Sequence, residues 1–398
     1  MIPRIRQVRI RNYKSIEHAV VDLEAFTALV GPNGAGKSNF IDALAFVQES
    51  LSLSLELAFK NRGGIGAVRR RSGGHPTHIG IHLTLDLGND LSAEYEFEIA
   101  AKSQVRFRVA SERCVVGRFP EMEHVFEVRN GEFQAKIPGI RPKVSGDRLA
   151  LTAASATDEF GPVYDFLTSM RFYSIVPERL RELQEPDPGD FLKPDGSNAA
   201  AVLKRLREEN RRTERYEHLC RLLAQVVKGV EKVEYHSVGQ KETLQFRQDI
   251  GLKHTWKFDA LDMSDGTLRI VGLLLALYQP NSPSVIAIEE PEATVYPTAS
   301  EIVMGALLDA ATREQVLVTT YSPDMLDHKE MTDSQVRVAV MERGSTKIVP
   351  VSQSTREAIR KHINTTGELL RSNRLNPDVA AAEESVEQLN LFGNPISG

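Results

Sequence analysis

The alternation of apolar and polar positions divides the chain into stretches of different period. Residues 2–10 alternate, which predicts a half-exposed strand, and residues 26–30, Phe-Thr-Ala-Leu-Val, predict a buried one. A glycine-rich break covers 31–36. Phe40, Ile41, Leu44 and Val47 then recur at helical spacing over 38–49. The chain therefore opens as strand, glycine loop, helix. From 79 to 137 short alternating stretches (79–87, 93–99, 105–109 and 125–128), with turn signals at Asn89-Asp90 and Asn130-Gly131, predict an antiparallel β segment. Residues 177–196 hold four prolines and several acids and predict a loop or linker. Residues 197–229 predict amphipathic helix through Val202, Leu206, Leu219, Leu222, Leu223 and Val226, with no sustained heptad. Helix 266–278, strand 284–289, helix 298–311 and strand 315–319 give the rhythm of a parallel sheet with helical crossovers. Residues 335–351 predict two closing strands. The tail beyond 374 is expected to fray, apart from the apolar Leu389-Asn390-Leu391-Phe392. This divides the chain into 1–150, 151–255, 256–352 and 353–398.

Composition narrows the class. Of 398 residues 41% are apolar and 26% charged, the balance of a soluble globular protein rather than a disordered or fibrous one. No run of 18 uncharged apolar residues exists, so no membrane span is expected. The first residues carry charge but no apolar core, so no secretory signal is expected. Cys114 and Cys220 have no metal-ligand spacing, which points to a reducing, cytoplasmic setting without structural zinc. Net charge is −5, from 49 basic and 54 acidic residues, and gives no support to nucleic-acid binding. Two local stretches are more basic: Lys60, Arg62, Arg69, Arg70 and Arg71, and Lys204, Arg205, Arg207, Arg211, Arg212 and Arg215. Solvated faces are one reading and nucleic-acid contact the other. Arg69-Arg70-Arg71, flanked by glycines, suits the backbone of double-stranded DNA but lacks the aromatics that stack single strands. His75, His78 and His82 have no completing carboxylate or cysteine and read as an ordinary histidine group.

Gly31-Pro32-Asn33-Gly34-Ala35-Gly36-Lys37-Ser38 matches the phosphate-loop pattern in full, between a strand and a helix. Glycines let backbone N–H groups wrap the β- and γ-phosphates, and the helix adds its positive end. Lys37 supplies a point charge, and the Ser38 hydroxyl suits Mg²⁺, a cation that prefers oxygen. The apolar strand Ser284-Val285-Ile286-Ala287-Ile288 ends in Glu289-Glu290, at the strand end where open α/β sheets bind ligands. Glu289 is placed to hold Mg²⁺, directly or through water, and Glu290 to polarise a water. Ser264-Asp265-Gly266 opens the helix upstream; alone it also reads as an ordinary cap.

In that order, followed by Thr319-Thr320-Tyr321-Ser322-Pro323, these segments resemble the ABC-type ATPase heads of the SMC/RecF/OLD superfamily, including stand-alone heads of bacterial antiphage defence. Val8 to Ile16 and Ser38 to Leu44 share the resemblance, which covers about 1–50 and 255–350 and leaves the middle without a motif. It implies an α/β, ABC-ATPase-type P-loop fold with a mixed sheet, an antiparallel β arm and a helical insert. It implies a Walker A motif from Gly31 to Asn39, with Asn33, Gly34, Ala35, Gly36, Lys37, Ser38 and Asn39 on the nucleotide. Glu289 would replace the Walker B aspartate and Glu290 would be the catalytic glutamate. Ser264, Asp265 and Gly266 would form the signature that meets the γ-phosphate held by an opposite subunit, and Lys14 and Ser15 would lie near nucleotide. ATP, Mg²⁺ and a head-to-tail homodimer or higher oligomer follow.

Two positions depart from that pattern. Tyr321 stands where a switch histidine is usual, and Val295-Tyr296-Pro297 replaces Leu-His-Pro. A phenol donates a hydrogen bond but carries no positive charge, so slow hydrolysis is expected. The nucleotide-sensing glutamine of such heads has no assigned position; Gln184 is one candidate, and an ordinary loop glutamine is the other reading of it. The span from Ser38 to Ser264 is too short for a long SMC coiled coil, and too little follows residue 350 for a Toprim nuclease domain. The expectation is an ATPase that controls a separate effector, a nuclease, in a DNA-directed antiphage complex. The alternatives are a RecF-like DNA repair ATPase and a nucleotide-gated scaffold with little turnover.

Overall fold

The computed structural model describes residues 2–72, 77–103, 106–118, 121–135, 146–208, 213–249, 251, 255–293, 297–378 and 380. The chain runs β1 (Arg4–Tyr13), β2 (Ile16–Asp22), β3 (Phe26–Val30), α1 (Lys37–Ser52), α2 (Leu55–Asn61) and α3 (Ile65–Val68). Five strands follow: β4 (His78–Gly88), β5 (Leu91–Ala101), β6 (Phe107–Arg118), β7 (Glu121–Arg129) and β8 (Glu132–Ala135), then α4 (Leu151–Ala154) and α5 (Gly161–Thr168). Next come β9 (Arg171–Tyr173), α6 (Pro177–Arg181), α7 (Ala199–Glu208), α8 (Thr213–Val226), β10 (Val230–Val238), β11 (Lys241–Gln248) and β12 (Trp256–Asp259). The rest is α9 (Asp265–Tyr278), β13 (Val285–Glu289), α10 (Pro297–Ala310), β14 (Gln315–Thr320), α11 (Pro323–Leu326), β15 (Val336–Glu342), β16 (Ser345–Pro350), α12 (Gln353–Arg360) and α13 (Thr366–Arg371). Two compact units form: 1–170 with 332–398, and 171–331.

In the first unit an antiparallel sheet runs β2-β1-β4-β5-β6-β7-β8, the expected arm extended by the opening hairpin. Period-two patterning puts Ile79, Ile81, Leu83 and Leu85 of β4 inside, with Tyr95, Phe97 and Ile99 of β5. Beside it β3 pairs in parallel with β15, and β15 antiparallel with β16, giving mixed pairing. The helix α1 buries Phe40, Leu44, Phe46 and Val47 completely. Each such side chain is worth roughly 1.5–3 kcal/mol of transfer. Tyr13, Phe46, Phe59 and Phe107 stack in series with centroids 5.8, 4.9 and 4.8 Å apart. The buried Glu112 carboxylate accepts from Tyr95 Oη (3.0 Å) and the N–H groups of Leu151 (2.8 Å) and Ala150, tying the start of α4 to the arm.

In the second unit β14, β13 and β9 are parallel, with β13 in the middle. Val285 to Ile288 are buried. The helix α9 is apolar nearly all round and is buried accordingly. A separate antiparallel sheet, β10-β11-β12, carries α7 and α8 against β10. This corrects the helical expectation for 151–255. Val233, Leu244 and Phe246 are fully buried within strands, their period two outweighing the helical content upstream. The helical prediction over 197–229 is met by α7 and α8. The strand expected at 105–109 begins at Phe107 and continues to Arg118, and 177–196 contains the short α6. His75, Tyr296, Arg211, Arg212 and Leu389 to Phe392 lie outside the described residues. Among the described residues no helix is long and apolar enough to cross a membrane.

Candidate nucleotide site

The loop after β3 is shaped by contacts that exclude side chains. A Cβ on Gly31 would collide with the carbonyl oxygen of Ala339 in β15. Gly34 (φ 81°) and Gly36 (φ 96°) are left-handed, and a Cβ on Gly36 would also strike Thr346 of β16. Asn33 and Gly34 are exposed, Ala35 is buried, and its N–H donates to Pro32 O at 3.2 Å. The helix α1 starts with no side-chain cap and no acidic residue in its first turn. No side-chain acceptor or carboxylate therefore offsets the positive end of this helix, the end that suits an anion. Lys37 is 5% exposed, and its Nζ donates to the carbonyls of Gly31 (2.5 Å) and Pro32 (3.2 Å). Ser38 is exposed beside it.

A polar network backs this loop. Asn39 Nδ2 donates to Ser15 Oγ at 2.6 Å, and Ser15 Oγ lies 2.7 Å from Thr346 Oγ1. Thr346 N donates to Ser15 O at 2.9 Å. Lys14, left-handed at φ 48° in the β1–β2 turn, holds Asp42 Oδ2 at 2.6 Å. Asp42 also accepts from Tyr13 Oη (2.7 Å) and Arg62 Nε (2.8 Å). Burial, reinforced by Asp42, pushes the Tyr13 phenol well above its ordinary range. So Lys14, Ser15 and Asn39 gather with the loop, and Lys14 is engaged by a carboxylate.

The arginine triplet is corrected. Arg70 is buried, donating to the carbonyls of Ser15 (3.0 Å) and Gly344 (3.1 Å) and lying 3.2 Å from Glu17. Arg69 is half-buried in a bridge to Tyr13, and of the three only Arg71 is exposed. The extended backbone there turns successive side chains to opposite sides. In the second basic stretch Arg205 pairs with Asp190 at 2.7 Å and Arg207 with Glu234 at 3.6 Å.

In the second unit β13 ends at half-buried Glu289, followed by exposed Glu290 at φ 45°, a conformation that costs a non-glycine residue roughly 1–2 kcal/mol. The Glu290 N–H donates to Thr319 O (3.0 Å) and Thr319 Oγ1 (3.2 Å) at the end of β14. Glu292 Oε1 accepts from Thr320 Oγ1 (2.5 Å) and the Tyr321 N–H (3.2 Å). Tyr321 itself is 53% exposed. Glu289, Glu290, Glu292 and the Thr319–Tyr321 turn therefore share one corner. Ser264 realises the cap reading, its Oγ accepting from Thr267 N at 3.3 Å. The Asp265 carboxylate is taken by Arg181, which also donates to Met263 O at 3.2 Å. Gly266 sits in the first turn of α9. A cleft of about 450 Å³ beside Ser264 is lined by Gln248, Phe258, Asp262, Met263 and Thr267.

Of the two readings of Gln184, the structure shows the structural one. It is buried, its Oε1 accepts the Ala200 N–H at 2.9 Å, and its Nε2 donates to Arg179 O at 3.2 Å. It ties α6 to the start of α7 and has no amide group left for a nucleotide. Among the described residues no three His, Cys, Asp or Glu could hold a metal, and Cys114 and Cys220 are buried free thiols. Ser38 in the first unit and Glu289 in the second each carry an oxygen donor of the kind Mg²⁺ prefers. Sequence reasoning missed Asp42, Thr346, Arg181 and Glu292. Glu292 stands within the Glu-Glu-Pro-Glu run and Asp42 within the helix after the loop; Thr346 and Arg181 carry no motif signal.

Comparison with known proteins bears on the family and the fold. A family profile described as "AAA domain, putative AbiEii toxin, Type IV TA system" matches residues 26–327. Structural maintenance of chromosomes protein 1 of Schizosaccharomyces pombe is 29% identical over 123 residues, 27% of this chain and 10% of that protein. The chromosome partition protein Smc of Methanocaldococcus jannaschii is 46% identical over 44 residues, 11% of this chain and 4% of that protein. The chain thus spans a tenth or less of these relatives. A solved Smc head bound to the C-terminal winged-helix domain of ScpA superposes with TM-score 0.54 at 14% identity, over 88% of this chain and 98% of that one. An Smc head with an extended coiled coil, bound to the C-terminal domain of ScpA from Pyrococcus furiosus, gives TM-score 0.53 at 14% identity, over 91% and 100%. The fold is that of an SMC head.

Proposed function

The chain belongs to this family of AAA domains, and on that premise we propose that it is an ATP-binding and hydrolysing ABC-type head that pairs head to tail with a second copy and controls a separate effector, a nuclease, in a DNA-directed antiphage complex. The observation that carries the reading is the uncapped, glycine-turned N-terminus of α1 with Lys37 buried against the loop carbonyls. Those N–H groups hold the β- and γ-phosphates, and Lys37 exchanges two carbonyls for a triphosphate. Ser38 and Glu289 would hold Mg²⁺, whose charge would offset that of the phosphates. Glu290 orients the attacking water. Tyr321 donates a single hydrogen bond, so turnover is slow.

Ser264 and Gly266 serve the γ-phosphate of the second copy. An aspartate between them would repel that anion, and Arg181 cancels its charge. Bound ScpA on Smc heads supports a protein partner for a head of this fold. The test is a pair of variants read by nucleotide titration and phosphate release. Lys37→Ala is expected to weaken ATP binding about 10- to 100-fold, the loss of a charged hydrogen-bond donor. Glu290→Gln is expected to leave binding intact and slow release at least about 100-fold. Unchanged behaviour in both contradicts the reading. The exposed, uncharged Tyr321 favours a nucleotide-gated scaffold as second reading; phosphate release equal in the parent and Glu290→Gln would select it.

A further inference from the structure

We propose that Glu292 is a positioning residue that locks the Glu290 corner to the Tyr321 turn, so that the two move as one unit during turnover; the catalytic part of this inference rests on the ATPase reading above. The corner and the turn come from different strands, β13 and β14, which pair in parallel as far as Glu289 and Thr319, and two further links join them beyond that pair. Backbone supplies one link, from the Glu290 N–H to Thr319. The side chain of Glu292 supplies the other: one carboxylate oxygen takes both the Thr320 hydroxyl and the Tyr321 N–H. Thr320 Oγ1 passes the constraint on, accepting the Ser322 N–H at 2.9 Å. Every residue of the turn from Thr319 to Ser322 is thus fixed, directly or through one relay, to the carboxylate corner.

Two features argue that this clamp serves position rather than stability. Glu290 is left-handed immediately before Pro291, a strained placement that persists only if neighbours enforce it. In addition, Glu292 Oε2 is buried with no hydrogen-bond partner among the described residues. A buried acceptor left without a donor is destabilising. A purely structural cap would avoid that cost with a smaller residue bearing one acceptor. The carboxylate spans the gap between the strands, and Tyr321 projects from a base that Glu292 holds.

The experiment compares Glu292→Ala and Glu292→Gln with the parent by two readouts. In steady-state ATPase assays Glu292→Ala is expected to lower kcat about tenfold with KM within twofold, whereas Glu292→Gln, whose amide oxygen still accepts both donors, stays near the parent. In hydrogen exchange, which needs no turnover, the Tyr321 and Ser322 amides are expected to exchange about tenfold faster in Glu292→Ala alone. A parent-like Glu292→Ala in exchange overturns the clamp, as does a Glu292→Gln as impaired as Glu292→Ala. A Glu292→Ala that loses melting temperature but keeps kcat and local exchange marks a merely structural role and overturns it too. A parent with no phosphate release defeats the ATPase reading, while exchange still decides the clamp.

Discussion

Gly36 carries two constraints at once, a left-handed φ of 96° and a Cβ position filled by Thr346. Gly36→Ala is therefore expected to lose at least about 1–2 kcal/mol of stability together with ATP affinity. Parallel melting and nucleotide titration check this, and a variant of parental stability and affinity speaks against the packing described. Tyr321 makes the opposite kind of prediction, a gain. If the uncharged phenol limits turnover, Tyr321→His raises the rate of phosphate release, and an unchanged rate removes that explanation. Residues of the loop were legible in sequence because a phosphate cradle demands glycines and a lysine at fixed spacing. Asp42, Thr346 and Arg181 were not, because each acts through a partner distant in sequence, such as Ser15 for Thr346 or Asp265 for Arg181.

At the scale of elements, the β arm has its own pH dependence. Glu96 is buried in a cleft of about 510 Å³ that also holds Glu98, Arg108, Arg113 and Glu127. Burial first, then the nearby Glu94 and Glu127, push its carboxyl up to about 7 against the pull of Arg113 and Arg9. The folded arm therefore holds a proton that the unfolded chain releases near pH 4.5. That contribution is full below the unfolded value and is lost as pH rises through about 7. Glu96→Gln is expected to flatten the fall in melting temperature between pH 4.5 and 7; an unaltered slope counts against it. Gln184→Ala should cost about 1–3 kcal/mol, by leaving the Ala200 N–H without its acceptor, and leave ATP affinity alone. The strands of the arm and the helices around β13 were legible from period alone. The β10-β11-β12 sheet was not read, although Gly229 ends the helical segment and Gly239 lies in the turn between β10 and β11.

At the scale of the whole molecule, the fold matches Smc heads while the chain spans only a small part of the SMC relatives. At 14% identity the likeness is one of fold alone, which leaves the partner to be found by experiment. Purification with and without ATP, followed by mass and composition of what remains bound, tests the effector: a nuclease retained with ATP supports it, and a chain that never retains one does not. The central claim is that two copies complete each other's sites, one giving Lys37 and Glu290 and the other Ser264 and Gly266. Light scattering of the Glu290→Gln variant at saturating ATP and Mg²⁺ tests it most directly. The account predicts twice the 44.3 kDa mass of the chain with nucleotide and a single chain without it, whereas a single-chain mass with ATP demonstrably bound contradicts the account.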